Sequence, residues 1–243
     1  MRDAPKSMSP RALLFDVFGT CVDWYGGVSR AVAAAFAADG LVADAASFTL
    51  AWRRAYFDGM AEVRAGRAPW RRIDSIHRDA LDALIAENRL DALSAGDRER
   101  LARAWHALDP WPDVGEGLAR VRAHRWVATL SNGNLDLLID LARHGGLAWD
   151  ALFCSDLFGC FKPDPRTYLG ACRLMGLEPG QVMMVACHRS DLDAAARSGL
   201  RTVFVARPME YGGKTQADCA NEGEFDLVVA GFTELAARLE TMQ

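Results

Sequence analysis

An α/β fold, a doubly wound (Rossmann-like) parallel sheet with an inserted all-helical cap, is what this 243-residue sequence predicts. Two observations predict the sheet. Short runs that are apolar on both faces recur along the chain, as buried parallel strands require. Helical patterns separate the later runs, and each closes near a glycine. A third observation predicts the insertion: from about residue 24 to 112 this rhythm lapses and only helical patterns remain.

The first strand is read over residues 12–18, ALLFDVF. In the helical stretch that follows, Ile76, Ala80, Leu81, Leu84 and Ile85 share one face, and Leu101, Trp105 and Leu108 share another. Ser94 with Asp97 has the form of a capping box. Strands are then expected at 125–131 (RWVATLS), 151–156 (ALFCSD), 181–187 (QVMMVAC) and 201–207 (RTVFVAR). Helices are expected at 135–144, 165–175 and 191–198, with left-handed caps at Gly145, Gly176 and Gly199. The domain division is therefore a core of 9–23 and 113–243 and a cap of 24–112. Inserted after the first strand, the cap would lie over the carboxyl ends of the strands, where such sheets bind ligands.

Composition narrows the function. The chain is 51% hydrophobic and 25% charged, ample for a core, and its formal net charge is -4. Lys and Arg are scattered, which argues against nucleic-acid or membrane-surface partners. No run is apolar enough to span a bilayer. The N-terminal MRDAPKSMSP has no apolar h-region, so no secretory signal is read. The six cysteines show no Cys-x-x-Cys spacing, which favours buried thiols in a reducing cytoplasm over disulfides or a zinc site.

Four features fall at strand ends or helix starts on one side of the sheet. They are Asp16 with Thr20 beyond it, the run Ser131-Asn132-Gly133-Asn134, Lys162 in FKPDPRTY, and CHRSDLDAA with His188 and Asp191. Each alone has an ordinary structural reading: a turn cap, a turn with a helix cap, a solvated lysine, a helix N-terminal acid. Their joint order is what points to chemistry.

That order resembles the haloacid dehalogenase superfamily: "DVFGT", "LSNGN", "FKPDPRTY" and the Asp of "HRSDL" fall as its four motifs should. The resemblance implies a nucleophile at Asp16, substrate-oxygen binders at Ser131 and Asn132, and an active-site lysine at Lys162. Phosphatases of that superfamily resemble one another in carrying a second Asp two residues after the nucleophile. Here that place is Phe18, which neither donates a proton nor binds a metal. Their fourth-motif acid, a magnesium ligand, corresponds to Cys187, a poor ligand for a hard cation. No metal or other cofactor is expected. The chain instead resembles the L-2-haloacid dehalogenase branch, in which an aromatic residue follows the nucleophile. "AWRR" then implies a halide-drawing role for Arg53, and Tyr168 matches that branch's tyrosine.

The resemblance implies hydrolysis of a small-molecule 2-haloacid in two steps. Asp16 would displace halide from C2, and water would then cleave the aspartyl ester, giving a 2-hydroxy acid with one inversion. Lys162 would keep Asp16 ionised, and Thr20 would support it by a hydrogen bond. Ser131 and amides near Asn132 would hold the substrate carboxylate, Arg53 and Asn132 would receive halide, and Asp191 would prepare the water. Phe18 would wall the pocket. For Trp24, Tyr56, Phe57 and Trp70, core packing is the simpler account and pocket wall the alternative. The fourth motif departs from the familiar pattern: Ala186, Cys187, His188, Arg189 and Ser190 precede Asp191. His188 is read either as a donor to halide or water or as a strand-end histidine with a backbone partner. Competing readings are an ester-forming hydrolase of another electrophile, a magnesium phosphatase, and a non-catalytic binder. The resemblance also implies a homodimer.

Overall fold

The computed structural model describes residues 9–213 and 216–242. Residues 1–8 of the N-terminal stretch read above for targeting lie outside the described residues. The chain opens with β1 (Ala12–Phe15), then runs through α1 (Trp24–Ala38), α2 (Ala45–Arg64), α3 (Ile73–Glu87), α4 (Ala95–Arg103) and α5 (Val114–Arg122). From there strand and helix alternate: β2 (Trp126–Ser131), α6 (Leu135–Gly145), β3 (Ala151–Cys154), α7 (Ser155–Phe158), α8 (Pro165–Met175), β4 (Val182–Ala186), α9 (Arg189–Arg197) and β5 (Arg201–Val205). The chain closes on β6 (Leu227–Val229) and α10 (Phe232–Glu240).

All six strands are parallel, in the order β3-β2-β1-β4-β5-β6. β1 is central, with Leu13 paired to Val127 on one side and Met183 on the other. The winding direction reverses between β1 and β4, and the crevice at such a switch point is where these sheets take ligands. Alternation along β1 sends Leu13 and Phe15 to one face and Ala12 and Leu14 to the other, so each face has its own buried cluster. Phe15 stacks on Phe232 of α10 at 5.4 Å. Leu14 shares its cluster with Leu130, Tyr168 and Met184.

Every expected strand exists, but each is shorter than its apolar run. β1 ends at Phe15 rather than at residue 18, because a turn begins there: Cys21 N–H and Val22 N–H both reach back to the Val17 carbonyl. Ser155 and Asp156, read as strand, start α7. β6 was not expected, since three residues (LVV) make too short a run to stand out. The left-handed cap of α6 falls at Gly146, φ 63°, and not at Gly145, which stays helical. Gly176 and Gly199 take positive φ as expected. α9 begins at Arg189, which puts Asp191 inside its first turn. The Ser94 box is half formed: its hydroxyl accepts from Asp97 N–H, while its own N–H goes to Asp39.

The helices between β1 and β2 pack around an aromatic stack. Trp105 lies 4.2 Å from His77, 5.5 Å from Trp52 and 6.1 Å from Trp24. Burial pushes the His77 imidazole down to about 3, with Arg53 adding to the effect, so this ring is neutral. Asn134 joins this segment to the sheet: its Oδ1 accepts from Asp74 N–H and its Nδ2 donates to the Asp74 carboxylate.

Helix α5 lies so close to α10 that a Cβ on Gly117 would stand 2.5 Å from the Phe232 carbonyl carbon, whereas Gly115 in the same helix faces open space. Gly117→Ala is expected to destabilise the fold by about 1–3 kcal/mol through overpacking. Gly115→Ala is expected to stabilise it by up to about 1 kcal/mol through helix propensity. Denaturant titration of the two variants checks the opposite signs.

Candidate active site

Asp16 is the first residue past β1, and its N–H still bonds the Val185 carbonyl of β4 at 3.0 Å, which fixes where its side chain starts. The carboxylate is buried and takes three donors. Lys162 Nζ donates to Oδ1 at 2.9 Å, Thr20 Oγ1 donates to Oδ2 at 2.8 Å, and His188 Nδ1 lies 3.0 Å from Oδ2. Burial alone would raise this carboxyl, but the charges and hydrogen bonds of Lys162 and His188 outweigh it and hold it well below the usual range. Asp16 is thus ionised yet nearly dry.

Lys162 is held from both ends. Its backbone N–H donates to Asn132 Oδ1 at 2.7 Å, beyond the end of β2, and its ammonium also bonds Asp191 Oδ2. Burial works against the charge on Lys162, but Asp16 and Asp191 hold its pKa above the ordinary value. Asp191 is pushed up, first by burial and then by the Asp16 charge, against the pull of Lys162. The Tyr168 hydroxyl donates to Asp191 Oδ1.

A second chain of charges runs through His188. Its Nε2 lies 2.9 Å from Glu210 Oε1, so both ring nitrogens face carboxylates. Burial opposes a charge here, but Cys187, Glu210 and Asp16 together raise the His188 pKa well above its ordinary value. The ring is therefore an imidazolium donating on both sides. Glu210 is 1% exposed and also accepts from Trp24 Nε1 at 3.1 Å. Nothing in the sequence reading found it. The available signal was position alone: a lone acid in the Pro- and Gly-bearing turn just past a strand's carboxyl end.

Above these groups lies a cavity of about 350 Å³ lined by Asp16, Phe18, Arg53, Asn132, Lys162 and Asp191, with Tyr56, Phe57 and Met60 on its apolar side. Arg53, Phe57, Met60 and Arg64 recur at helical spacing on α2 and give the cavity one wall. Arg53 is 4% exposed, and its Nε and Nη1 have no hydrogen-bond partner among the described residues. Its guanidinium sits 4.6 Å from the Phe57 ring, 4.7 Å from Trp24 and 5.1 Å from Tyr56. Rings favour the cation but offer no acceptor for its N–H groups.

Of the residues singled out from sequence, Asp16, Phe18, Arg53, Asn132, Lys162, His188 and Asp191 meet at this cavity. Thr20, Tyr168 and Ser131 stand behind its surface. Thr20 bonds Asp16 and accepts from Cys187 N–H. Tyr168, which the resemblance implies as a substrate-binding residue, donates to Asp191 and does not line the cavity. Ser131, expected to hold the substrate carboxylate, instead accepts from Gly133 N–H and does not line the cavity. His188 has carboxylate partners, not the backbone partner also considered. Trp24 backs Arg53, Tyr56 and Phe57 line the wall, and Trp70 is on the outside.

Asp16, Cys187 and His188 offer ligand atoms within 4.8 Å of one another. This set does not fit magnesium, which asks for oxygen ligands in octahedral array. Cys187 supplies a thiol raised by burial, and both His188 nitrogens are committed to carboxylates.

The haloacid dehalogenase-like hydrolase family model matches residues 10–199. The (S)-2-haloacid dehalogenase 4A of Burkholderia cepacia is 30% identical over 212 residues, 84% of this chain and 87% of that protein. The crystal structure of an L-2-haloacid dehalogenase aligns with TM-score 0.91 at 45% identity, covering 96% of this chain and 99% of its own. That of a defluorinating L-2-haloacid dehalogenase aligns with TM-score 0.92 at 40% identity, covering 98% and 99%. The chain belongs to the haloacid dehalogenase-like hydrolases.

Proposed function

We propose that this protein hydrolyses short-chain L-2-haloalkanoates to 2-hydroxy acids, with inversion at C2, through an ester on Asp16 and without a metal. The observation that carries the reading is Arg53: a buried guanidinium with unpartnered N–H groups lines the same cavity as an ionised, poorly solvated carboxylate. Such a pair suits displacement at saturated carbon, where the nucleophile must shed water and the departing halide must find charge. Asn132 Nδ2, its Oδ1 already anchored by Lys162 N–H, supplies a second halide donor. Asp191, its pKa raised, is the base that takes a proton from water, with Tyr168 orienting it. Thr20 steadies Asp16, and Ser131 braces the turn that carries Asn132. Phe18 excludes water from the face of Asp16. The similarity to (S)-2- and L-2-haloacid dehalogenases supports the substrate class.

In this reading residues 24–112 act as the helical cap over the core of 9–23 and 113–243, and halide leaves as the second product. A cytoplasmic location is supported by the six cysteines, none of them in a disulfide. No helix among the described residues is long and apolar enough to cross a membrane. The homodimer rests on the resemblance, and light scattering behind a sizing column is expected to give twice the 26.6 kDa chain mass.

Halide release from each enantiomer of 2-chloropropionate, with chloroacetate and fluoroacetate alongside, tests the activity in buffer containing EDTA. Release from the L-enantiomer and its loss in Asp16→Asn are expected. Release from neither enantiomer overturns the reading and favours a non-halogenated electrophile. Arg53→Met separates a working cation from a structural one. Turnover is expected to fall by about 10²–10³-fold, while thermal stability holds or rises because a buried, unpartnered cation has been removed. A large loss of stability would mark Arg53 as part of the scaffold instead.

A further inference from the structure

We propose that His188, with Thr20, is the oxyanion hole of the ester-cleaving step, and that Glu210 is the positioning residue that keeps His188 a doubly donating cation throughout. This deepens the aspartyl-ester reading and rests on it.

The argument starts from the inequality of the two Asp16 oxygens. Oδ1 takes one donor, Lys162, whereas Oδ2 takes two, Thr20 and His188. A lone pair engaged by donors is a weaker nucleophile, so Oδ1 is the oxygen that attacks carbon. Alkylation at Oδ1 leaves Oδ2 as the ester carbonyl oxygen, already seated between two donors at 2.8 and 3.0 Å. When water adds to Cγ, the carbonyl electron pair moves onto Oδ2, and Asp191 takes one water proton. The Cγ–Oδ1 bond then breaks, and Oδ1 departs as the hydroxyl oxygen of the product with the proton Asp191 returns. The water oxygen stays on Asp16, which loses its remaining proton to solvent. Donors fixed before charge develops are the most effective way to stabilise such an intermediate.

Glu210 matters most at the intermediate. Esterification removes the charge of Asp16 and with it one of the two anions facing His188. The charged and titratable groups around the imidazolium are Asp16 from the turn after β1, Cys187 beside it, Glu210 from the turn after β5 and Arg53 from α2; Lys162 and Asp191 lie beyond Asp16. With Asp16 neutral, Glu210 is the carboxylate left in contact with the ring. The structure keeps room for it. Gly19 has φ 86°, and a Cβ there would stand 2.4 Å from Glu210 Oε1. Trp24 Nε1 fixes the same oxygen.

Rapid-quench kinetics on Glu210→Gln with L-2-chloropropionate tests this. The variant is expected to release one halide per active site in a burst at nearly the wild-type rate, then turn over about 10–10²-fold more slowly. Intact mass should show the protein carrying one 1-carboxyethyl ester. Because His188 is charged below its raised pKa and loses its proton as pH rises through it, the alkaline limb of kcat should move to lower pH in Glu210→Gln. It should return part of the way in Glu210→Asp. An unchanged kcat and alkaline limb overturn the proposal. So does a burst slowed as much as steady-state turnover, since that marks damage to both steps. If the wild type itself releases no halide, the haloacid reading on which this inference rests fails first.

Discussion

The site depends on one ammonium group placed between two carboxylates. Lys162 Nζ bridges Asp16 and Asp191, and all three side chains are buried. Removing three charges from water is costly, and the arrangement survives only if every partner is present with good geometry. The sheet supplies that geometry. Asp16 leaves β1, Lys162 lies in the segment between α7 and α8, and Asp191 sits in the first turn of α9 after β4. Parallel crossovers bring all three to one edge, beside the place where the winding reverses. Asn132, past β2, ties the lysine backbone to the same edge. Removal of Lys162 would take the shared cation from two buried carboxylates at once.

The charges extend beyond this triad in a balanced way. Asp16, Asp191 and Glu210 face Lys162 and His188, and Arg53 stands across the cavity without an ion pair. Three carboxylates thus face two cations, and the third cation, Arg53, belongs to the helical segment. In the proposed reaction an incoming anion meets Arg53 and not Lys162, whose ammonium is already held by two carboxylates. This division matters chemically. Were Lys162 the free cation, a substrate carboxylate would compete with Asp16 for it and weaken its hold on the nucleophile.

What was legible in the sequence follows from local rules. Asp16 and Asp191 each follow closely on an apolar run, and strand ends are where such sheets present side chains, so position alone gave their grouping. The helical segment was legible because Ile76, Ala80, Leu81, Leu84 and Ile85 recur at helical spacing, and all five are buried. Glu210 was not legible. Its importance comes from a tertiary approach to His188 and Trp24, far apart in sequence, and the Pro- and Gly-bearing turn that carries it reads as an ordinary turn. The local bond of Ser131 was not legible for a related reason: its hydroxyl satisfies a backbone N–H two residues on, a local competition that a motif does not reveal. Gly145 and Gly146 are neighbours, and only the backbone decides which one turns left-handed.

Phe18 shows how a single side chain joins these features. Its ring lies 6.0 Å from the Arg53 guanidinium and 6.1 Å from the Trp105 ring, and it approaches the Gly133 backbone so closely that a Cβ there would stand 3.3 Å from Phe18 Cε2. A carboxylate at this position would bring a second anion beside Asp16 and aim it at Arg53. It would raise the Asp16 pKa by repulsion and engage the Arg53 guanidinium. The aromatic ring does neither: it lines the cavity beside Asp16, completes the cage around Arg53 and brings no charge to the guanidinium. In this pocket a side chain that cannot bind a metal also brings no carboxylate to Arg53, so one residue has both consequences.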